Sequence, residues 1–569
     1  MNRLFSILLF LASLPAGRIA LHAERLTTDD IRTILAQAAS KAREYQGNPV
    51  RTNAVIAVSD REGYIVGVWT VDRGYKLNRR FPAFLKNAMG RAGTASFLSS
   101  SQHAFSTRTA NFIVQQHFPP GVENTPPGPL VGVNFSSLPG SDVNRFKNAA
   151  TYDPSITSGT NGGRLPPLLT GGLTGGLGGV PLYKNGECVG GIGVSGDEES
   201  GSPLSTKVLS FGTTRATEAA LVTNFLFYEL TVTPDLVRAR DVDEEVALAG
   251  QVGYAPSPRI WGSKVFVAGI SLAYVANLPV PATVVRPLEE VAVPVPEYPV
   301  IAPPPVQYPL LSLGGVHGEL RQPIIDDPAL HDADAGNDTI RGQPRLTAAE
   351  VRGILELGAA RARTTRAGIR LPRGQPMQCF ISVVGNPDKD GAPPMVLGTF
   401  CTSPDATRFS WDVAVQKART ALFFSDDTRA FSARTVGFLA QRFYPPGIKD
   451  TQPGIFLGLQ EHYSNFNYNV QNPLNDAINS DPTKLVLARV PMNPNLPNGI
   501  TIFPGGFPLY RNGVLIGGVG VSGDGIDQDD IVAASGASAF PAPREIRADR
   551  FSYRGARLPY AKFPRNPAL

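Results

Sequence analysis

Two short clusters carry side chains suited to meeting an anion. Arg91-Ala-Gly-Thr94 and Lys417-Ala-Arg-Thr420 each place a cation and a threonine in a stretch with helical character. Two glycine-rich runs, Gly190-Gly-Ile-Gly-Val-Ser-Gly-Asp197 and Gly517-Gly-Val-Gly-Val-Ser-Gly-Asp524, contain Gly193, Ser195, Gly520 and Ser522. Backbone N–H groups in such runs can approach a carboxylate closely, because glycine carries no side chain to hold the ligand off. Arg108 and Arg434 recur in a shared Ala-Phe-Ser-x-Arg-Thr sequence and add further positive charge. Ordinary structure accounts for the same residues: buried ion pairs for the cations, and a strand ending in a tight turn for the glycines.

Other chemistries find little footing. Ser195 and Ser522 have no histidine near them in sequence, so a nucleophile lacks its base. The run Gly171 to Gly179 has no Gly-Lys-Ser end and reads as a loop entering a strand rather than a phosphate cradle. Cys379 and Cys401 flank a predicted hairpin centred near Asp390, which places them opposite each other and predicts a cross-strand disulfide. Cys188 reads as a small buried hydrophobe, since the matching position later in the chain is Leu515.

The elements that must position these residues occur twice, at an offset of roughly 326 positions. Each copy opens with a capped amphipathic helix, at Leu26-Thr-Thr-Asp-Asp30 and at Leu346-Thr-Ala-Ala-Glu350; Thr347 with Glu350 is a capping-box pattern. A hairpin follows, then a helix bearing Arg91 or Lys417, then a third helical stretch ended by Pro-Pro-Gly. A second hairpin turns at Lys184-Asn-Gly186 or Arg511-Asn-Gly513, where Asn-Gly supplies the positive φ angles of a two-residue turn. A last helix closes each copy at Asp243–Gly250 and Asp529–Gly536, and copy one inserts residues 198–240 before it.

The boundaries that result are a leader over 1–23, a first unit over 24–277, a linker over 278–344 and a second unit over 345–569. Met1-Asn-Arg3, an apolar Leu4 to Leu14 and Leu21-His-Ala23 have the pattern of a secretory signal peptide, which predicts a periplasmic or secreted protein. That apolar run is too short to span a bilayer, so no membrane span is expected. The linker is proline-rich and suited to extended structure packed on a surface. Among 569 residues the net charge is only +5, with both signs interspersed, which argues against a nucleic-acid partner.

The Lys417-Ala-Arg-Thr-Ala421 segment, the Gly-Gly-x-Pro-Leu strand, the Gly517 to Gly523 run and Asp529-Asp-Ile-Val-Ala533 together resemble the GlcG/HbpS-like haem-binding family. The resemblance covers most of both copies. It implies an α+β, profilin-like fold for each unit, an antiparallel sheet packed with helices, and a homo-oligomer or an intramolecular pseudo-dimer. It also implies a small-molecule or tetrapyrrole ligand with haem as cofactor, some members being associated with haem degradation, while the residues themselves show no evident catalytic machinery. An axial ligand to haem is normally His, Met, Cys or Tyr. Copy one offers His103 and His117, matched in copy two by Arg429 and Phe443, and His462 lies in an insertion. His103 is thus the candidate iron ligand, with Arg91, Thr94, Lys417, Thr420, Gly193, Ser195, Gly520 and Ser522 as candidate ligand-binding positions. An assembly module, or a protein that binds or turns over a small hydroxy- or oxo-acid, are the alternative readings.

Overall fold

The computed structural model describes residues 24–114, 173–196, 240–276, 283–303, 308–328, 339–388, 392–441, 443–448, 450–457 and 495–562, with short pieces at 118–119, 128–131, 133, 136, 459–460 and 493. The predicted leader, His117, Asp197, His462 and almost all of the 198–240 insertion lie outside these residues.

The first half is built on helix α1 (Thr28–Glu44), strands β1 (Val55–Asp60) and β2 (Ile65–Thr70), helices α2 (Phe81–Leu98) and α3 (Thr107–Ile113), strands β3 (Gly179–Lys184) and β4 (Glu187–Ser195) and helix α4 (Val242–Gly250). A short strand β5 (Val293–Pro294) completes a sheet of order β3-β4-β1-β2-β5. The second half follows with β6 (Leu310–Leu313), β7 (Val316–Gln322), α5 (Ala348–Thr364), β8 (Cys379–Gly385), β9 (Val396–Cys401), α6 (Phe409–Phe423), α7 (Ala433–Leu439), β10 (Gly506–Arg511), β11 (Val514–Gly523) and α8 (Ile526–Ala537). Its sheet has the order β10-β11-β8-β9-β7-β6. All pairings between these strands are antiparallel, so the fold is α+β.

Helices cover both faces of each sheet because the strands are apolar on both. In the first half Ile56 and Val58 pack toward α1 and α4 with Ile31, Ile34 and Leu35, whereas Val55 and Ala57 pack toward α2 with Phe84 and Ala88. The alternation follows from the two-residue period of a strand. Thr27 and Thr347 each accept from the N–H three residues on, and Asp30 and Glu350 return the bond, so both opening helices carry a full capping box. Asn185 and Asn512 take φ of 50° and 49°, each followed by a glycine at 85°, which gives the tight hairpin turns expected of Asn-Gly.

Local irregularities recur as well. The pairing of β1 with β2 slips at Val58/Ser59 and that of β8 with β9 at Val383/Val384; β3–β4 and β10–β11 slip at Leu182/Tyr183 and Leu509/Tyr510. One of these bulges corrects the predicted disulfide. Near the turn Val384 faces Val396 as the hairpin symmetry requires, but beyond the bulge Phe380, not Cys379, faces Cys401. A one-residue slip sends the two sulfurs to opposite faces of the sheet. Cys379 instead bonds Thr402, and Cys188, Cys379 and Cys401 are all free thiols.

The segment taken as a linker does more than connect. Within 278–344, β5 pairs with β2 of the first sheet, and the β6–β7 hairpin adds to β9 of the second. The halves also share a core, in which Phe97, Leu98, Phe105 and Ile113 pack with Phe409, Val413 and Phe503. No helix among the described residues is long and apolar enough to cross a membrane.

Candidate functional site

Helices α2 and α6 lie across the long glycine-bearing strands, and each projects one buried cation toward the strand end. Arg91 Nη1 donates to the Val194 carbonyl at 2.5 Å and to Asp243 Oδ2 at 2.8 Å. Lys417 Nζ donates to the Val521 carbonyl at 2.8 Å and to Asp529 Oδ2 at 2.7 Å. In both cases the carboxylate comes from the first turn of the closing helix, so the ion pair ties α2 to α4 and α6 to α8. A second pair lies beside each. Arg108 grips Glu244 through Nε and Nη2, at 2.9 and 2.7 Å, and Arg434 reaches Asp530 and Asp527 at 2.8 and 2.7 Å. The basic residues picked out in sequence are therefore partners of internal carboxylates.

Thr94 and Thr420 hold incoming chain: their hydroxyls accept from the N–H of Thr174 and Thr501. Gly193 and Gly520 are required by the packing of the helices on the strands. A Cβ at Gly193 would stand 2.1 Å from the Ala88 carbonyl oxygen, and one at Gly520 2.0 Å from that of Ala414. The helix backbone fills the space expected for a ligand. Ser195 is buried opposite Val55, and Ser522 stands opposite Phe380.

His103 is fully buried, and both ring nitrogens are engaged. Nε2 lies 3.1 Å from the Leu98 carbonyl, which only accepts, so Nε2 carries the proton and Nδ1 accepts from Ser100 Oγ at 3.0 Å. Burial, with Arg370 next in weight, pushes its pKa down to about 3. A neutral imidazole with its lone pair already used in a hydrogen bond is a structural joint, not an open metal ligand. Among the described residues no group of three or more His, Cys, Asp or Glu gathers in a metal-holding arrangement.

The two halves differ where they meet. A cleft opens beside Lys417, walled by Leu98, Phe105 and Leu272 of the first half and by Phe409, Val413 and Phe503 of the second. Lys417, Ser522 and Asp529 also line it, with Gly525 and Ile526 at the start of α8, but almost all of its surface is apolar. The cavity volume is about 60 Å³. Asp529 is 3% exposed, and its Oδ1 has no hydrogen-bond partner while Oδ2 holds Lys417. Burial pushes the Asp529 carboxyl up to about 7, against the opposing pull of Lys417.

Sequence reasoning missed the charges at the junction. Glu62, in the turn between β1 and β2, bonds Arg321 Nη1 at 3.0 Å and Arg408 Nε at 2.6 Å, both from the second half. Arg370 bonds Asp524 and Asp405 at 2.5 and 3.1 Å. Glu62 and Arg321 have no repeat to mark them, because each half meets the other with a different surface.

An antiparallel α+β sheet with helices on both faces and a buried cation under its glycine strand defines the class of domain. Residues 395–538, from β9 through α8, match the family model described as haem-degrading protein HbpS-like. The resemblance read from the motifs therefore holds for this stretch. No curated protein matches the chain. A solved structure described as the PduOC:heme complex aligns with 35% of this chain and 97% of its own, at 20% identity and a TM-score of 0.22.

Proposed function

We propose that this chain binds haem or a related tetrapyrrole and is built of two tandem, profilin-like units of the HbpS-like kind, joined as an intramolecular pseudo-dimer and exported by its leader. The match over residues 395–538 carries the proposal. The matching strand orders, bulges and cation–carboxylate pairs of the first half support a second unit of the same kind. Binding is the activity proposed; Arg91, Lys417 and Arg108 are bonded to internal carboxylates and His103 is enclosed, so none of them is offered as a haem contact.

The described cleft does not fit a haem. No His, Cys, Met or Tyr lines it, and about 60 Å³ holds a few waters rather than a macrocycle. No contact with iron is therefore assigned to Lys417, Asp529 or His103.

Absorbance titration of the full chain with haemin tests the reading, with His103→Gln alongside. A saturable Soret shift, unchanged in His103→Gln, is the expected result. A shift no different from that of haemin with an unrelated protein would overturn it.

A further inference from the structure

We propose that the arginines gathered around Arg43, at the end of α1, form a binding site for a doubly charged oxyanion, with a phosphomonoester group as the ligand class. The site belongs to the first half, shares no residue with the junction cleft and does not depend on the haem reading.

Backbone carbonyls pin four segments together here. Arg43 donates through Nε to the Val291 carbonyl at 2.9 Å, through Nη1 to that of Arg51 at 3.1 Å and through Nη2 to that of Val71 at 2.5 Å. Arg73, two residues past Val71, donates Nη2 to the carbonyls of Glu289 and Glu290, at 3.2 and 2.9 Å. The Arg286 N–H donates to Ser40 Oγ at 3.0 Å, about one turn before Arg43 on α1. Arg51, Arg73 and Arg286 are thereby brought to the surroundings of Arg43.

Their charges are not cancelled. The acceptors of Arg43 and Arg73 are carbonyls, which take a hydrogen bond without supplying a negative charge. Among the described residues no carboxylate forms a salt bridge with Arg43, Arg51, Arg73 or Arg286. Nearby acids are engaged elsewhere: Glu289 with Arg32, Glu44 with Lys41, and Asp72 with the Gly74 N–H and the Asn78 amide. Glu290 is exposed, and with Asp72 it still leaves the four arginines in excess. Burial, and next the charges of Arg73, Arg286 and Arg51, push the Arg43 guanidinium below its ordinary range, with Asp72 pulling against them. A bound anion relieves that repulsion.

The donors select the ligand. Arg43 is the half-buried base; its three bonds leave two of its five N–H groups unused. Arg51, half-buried, and Arg73 and Arg286, both exposed, supply the rim. Each guanidinium is a planar fork that matches two oxygens of a phosphate. A monocarboxylate brings one charge and occupies one fork. A phosphomonoester brings nearly two charges and three strong acceptor oxygens, enough for several forks at once.

Inorganic phosphate is the probe, titrated calorimetrically into the full chain at low ionic strength, where exposed charges are least screened, with acetate at matched ionic strength beside it. Arg51→Gln/Arg286→Gln removes two rim charges, and Arg544→Gln, an exposed arginine of the second half, is the control. The expected result is saturable phosphate binding at least about tenfold tighter than acetate, weakened about tenfold or more in the double variant and unchanged in Arg544→Gln. Absence of saturation, equal binding of acetate, a double variant that binds like the natural chain, or an equal loss in Arg544→Gln would each overturn the proposal. Glycerol 3-phosphate in the calorimeter and phosphatidic acid vesicles in co-sedimentation then separate a soluble phosphomonoester from a lipid headgroup. Binding of either that the double variant loses supports the class, and binding of neither overturns it.

Discussion

Lys417 and Asp529 show how a charge that recurs in the sequence, at Arg91 and Asp243, can be internal. With 1% and 4% of their side chains exposed, each is the main reason the other is tolerated in the core. Lys417→Met should therefore destabilise the protein by about 3–5 kcal/mol in a denaturant titration, because it strands a buried carboxylate. The double variant Lys417→Met/Asp529→Leu should recover most of that loss. The raised pKa of Asp529 has a definite sign. Its folded value of about 7 lies above the ordinary 3.8, so the native protein keeps a proton the unfolded chain gives up between those values. The associated stability is complete below the unfolded value and is lost as pH rises through about 7. Thermal unfolding from pH 5 to 8 should show a steeper fall for the natural protein than for Asp529→Asn. Arg91 and Lys417 were visible in the sequence because they recur. Their carboxylate partners were also visible, but only as helix starts, since nothing local says that a residue in a closing helix meets one on a helix more than a hundred positions earlier.

At the level of elements, short-range chemistry was the most legible. The capped helix start at Leu26–Asp30, the capping box at Thr347 and the turns at Asn185 and Asn512 depend on neighbours a few residues away, and the structure has them as read, with a full box at Thr27 as well. The hairpin carrying Cys379 and Cys401 shows the limit. Counting outward from a turn assumes an unbroken ladder, and the extra residue at Leu397 has no sequence mark that separates it from its neighbours. The glycines of the long strands were read both as anion contacts and as ordinary strand structure, and the packing favours the second. They let a helix lie close, and the distance of 2.0 Å between a Cβ at 520 and the Ala414 oxygen leaves the helix no room to stay. Gly520→Ala should cost at least about 1–3 kcal/mol by forcing α6 off the sheet. Circular dichroism melts would register it, and an unchanged melting temperature would refute the packing role.

At the level of the whole molecule, Glu62 is a charged link between the halves. It sits between Arg321 and Arg408, and Arg321 also lies over the Tyr308 ring at 3.8 Å from its centroid. Glu62→Gln should leave two buried guanidinium groups with a weaker partner and loosen the junction before either sheet melts. Differential scanning calorimetry should then resolve two transitions where the natural chain gives one, and a single transition at an unchanged temperature would show that the apolar junction suffices alone.

The proline-rich stretch between the two halves lends β5 to one sheet and the β6–β7 hairpin to the other. Cutting the chain at residue 345 to isolate the second half would therefore remove its outer strands, not free it. Strand β9 would become an open edge, its backbone donors and acceptors unmatched over several residues. Such an edge is a template for another copy of itself, so a second half released in this way should self-associate in solution, and its assembly would report the missing strands rather than any interface of the intact protein.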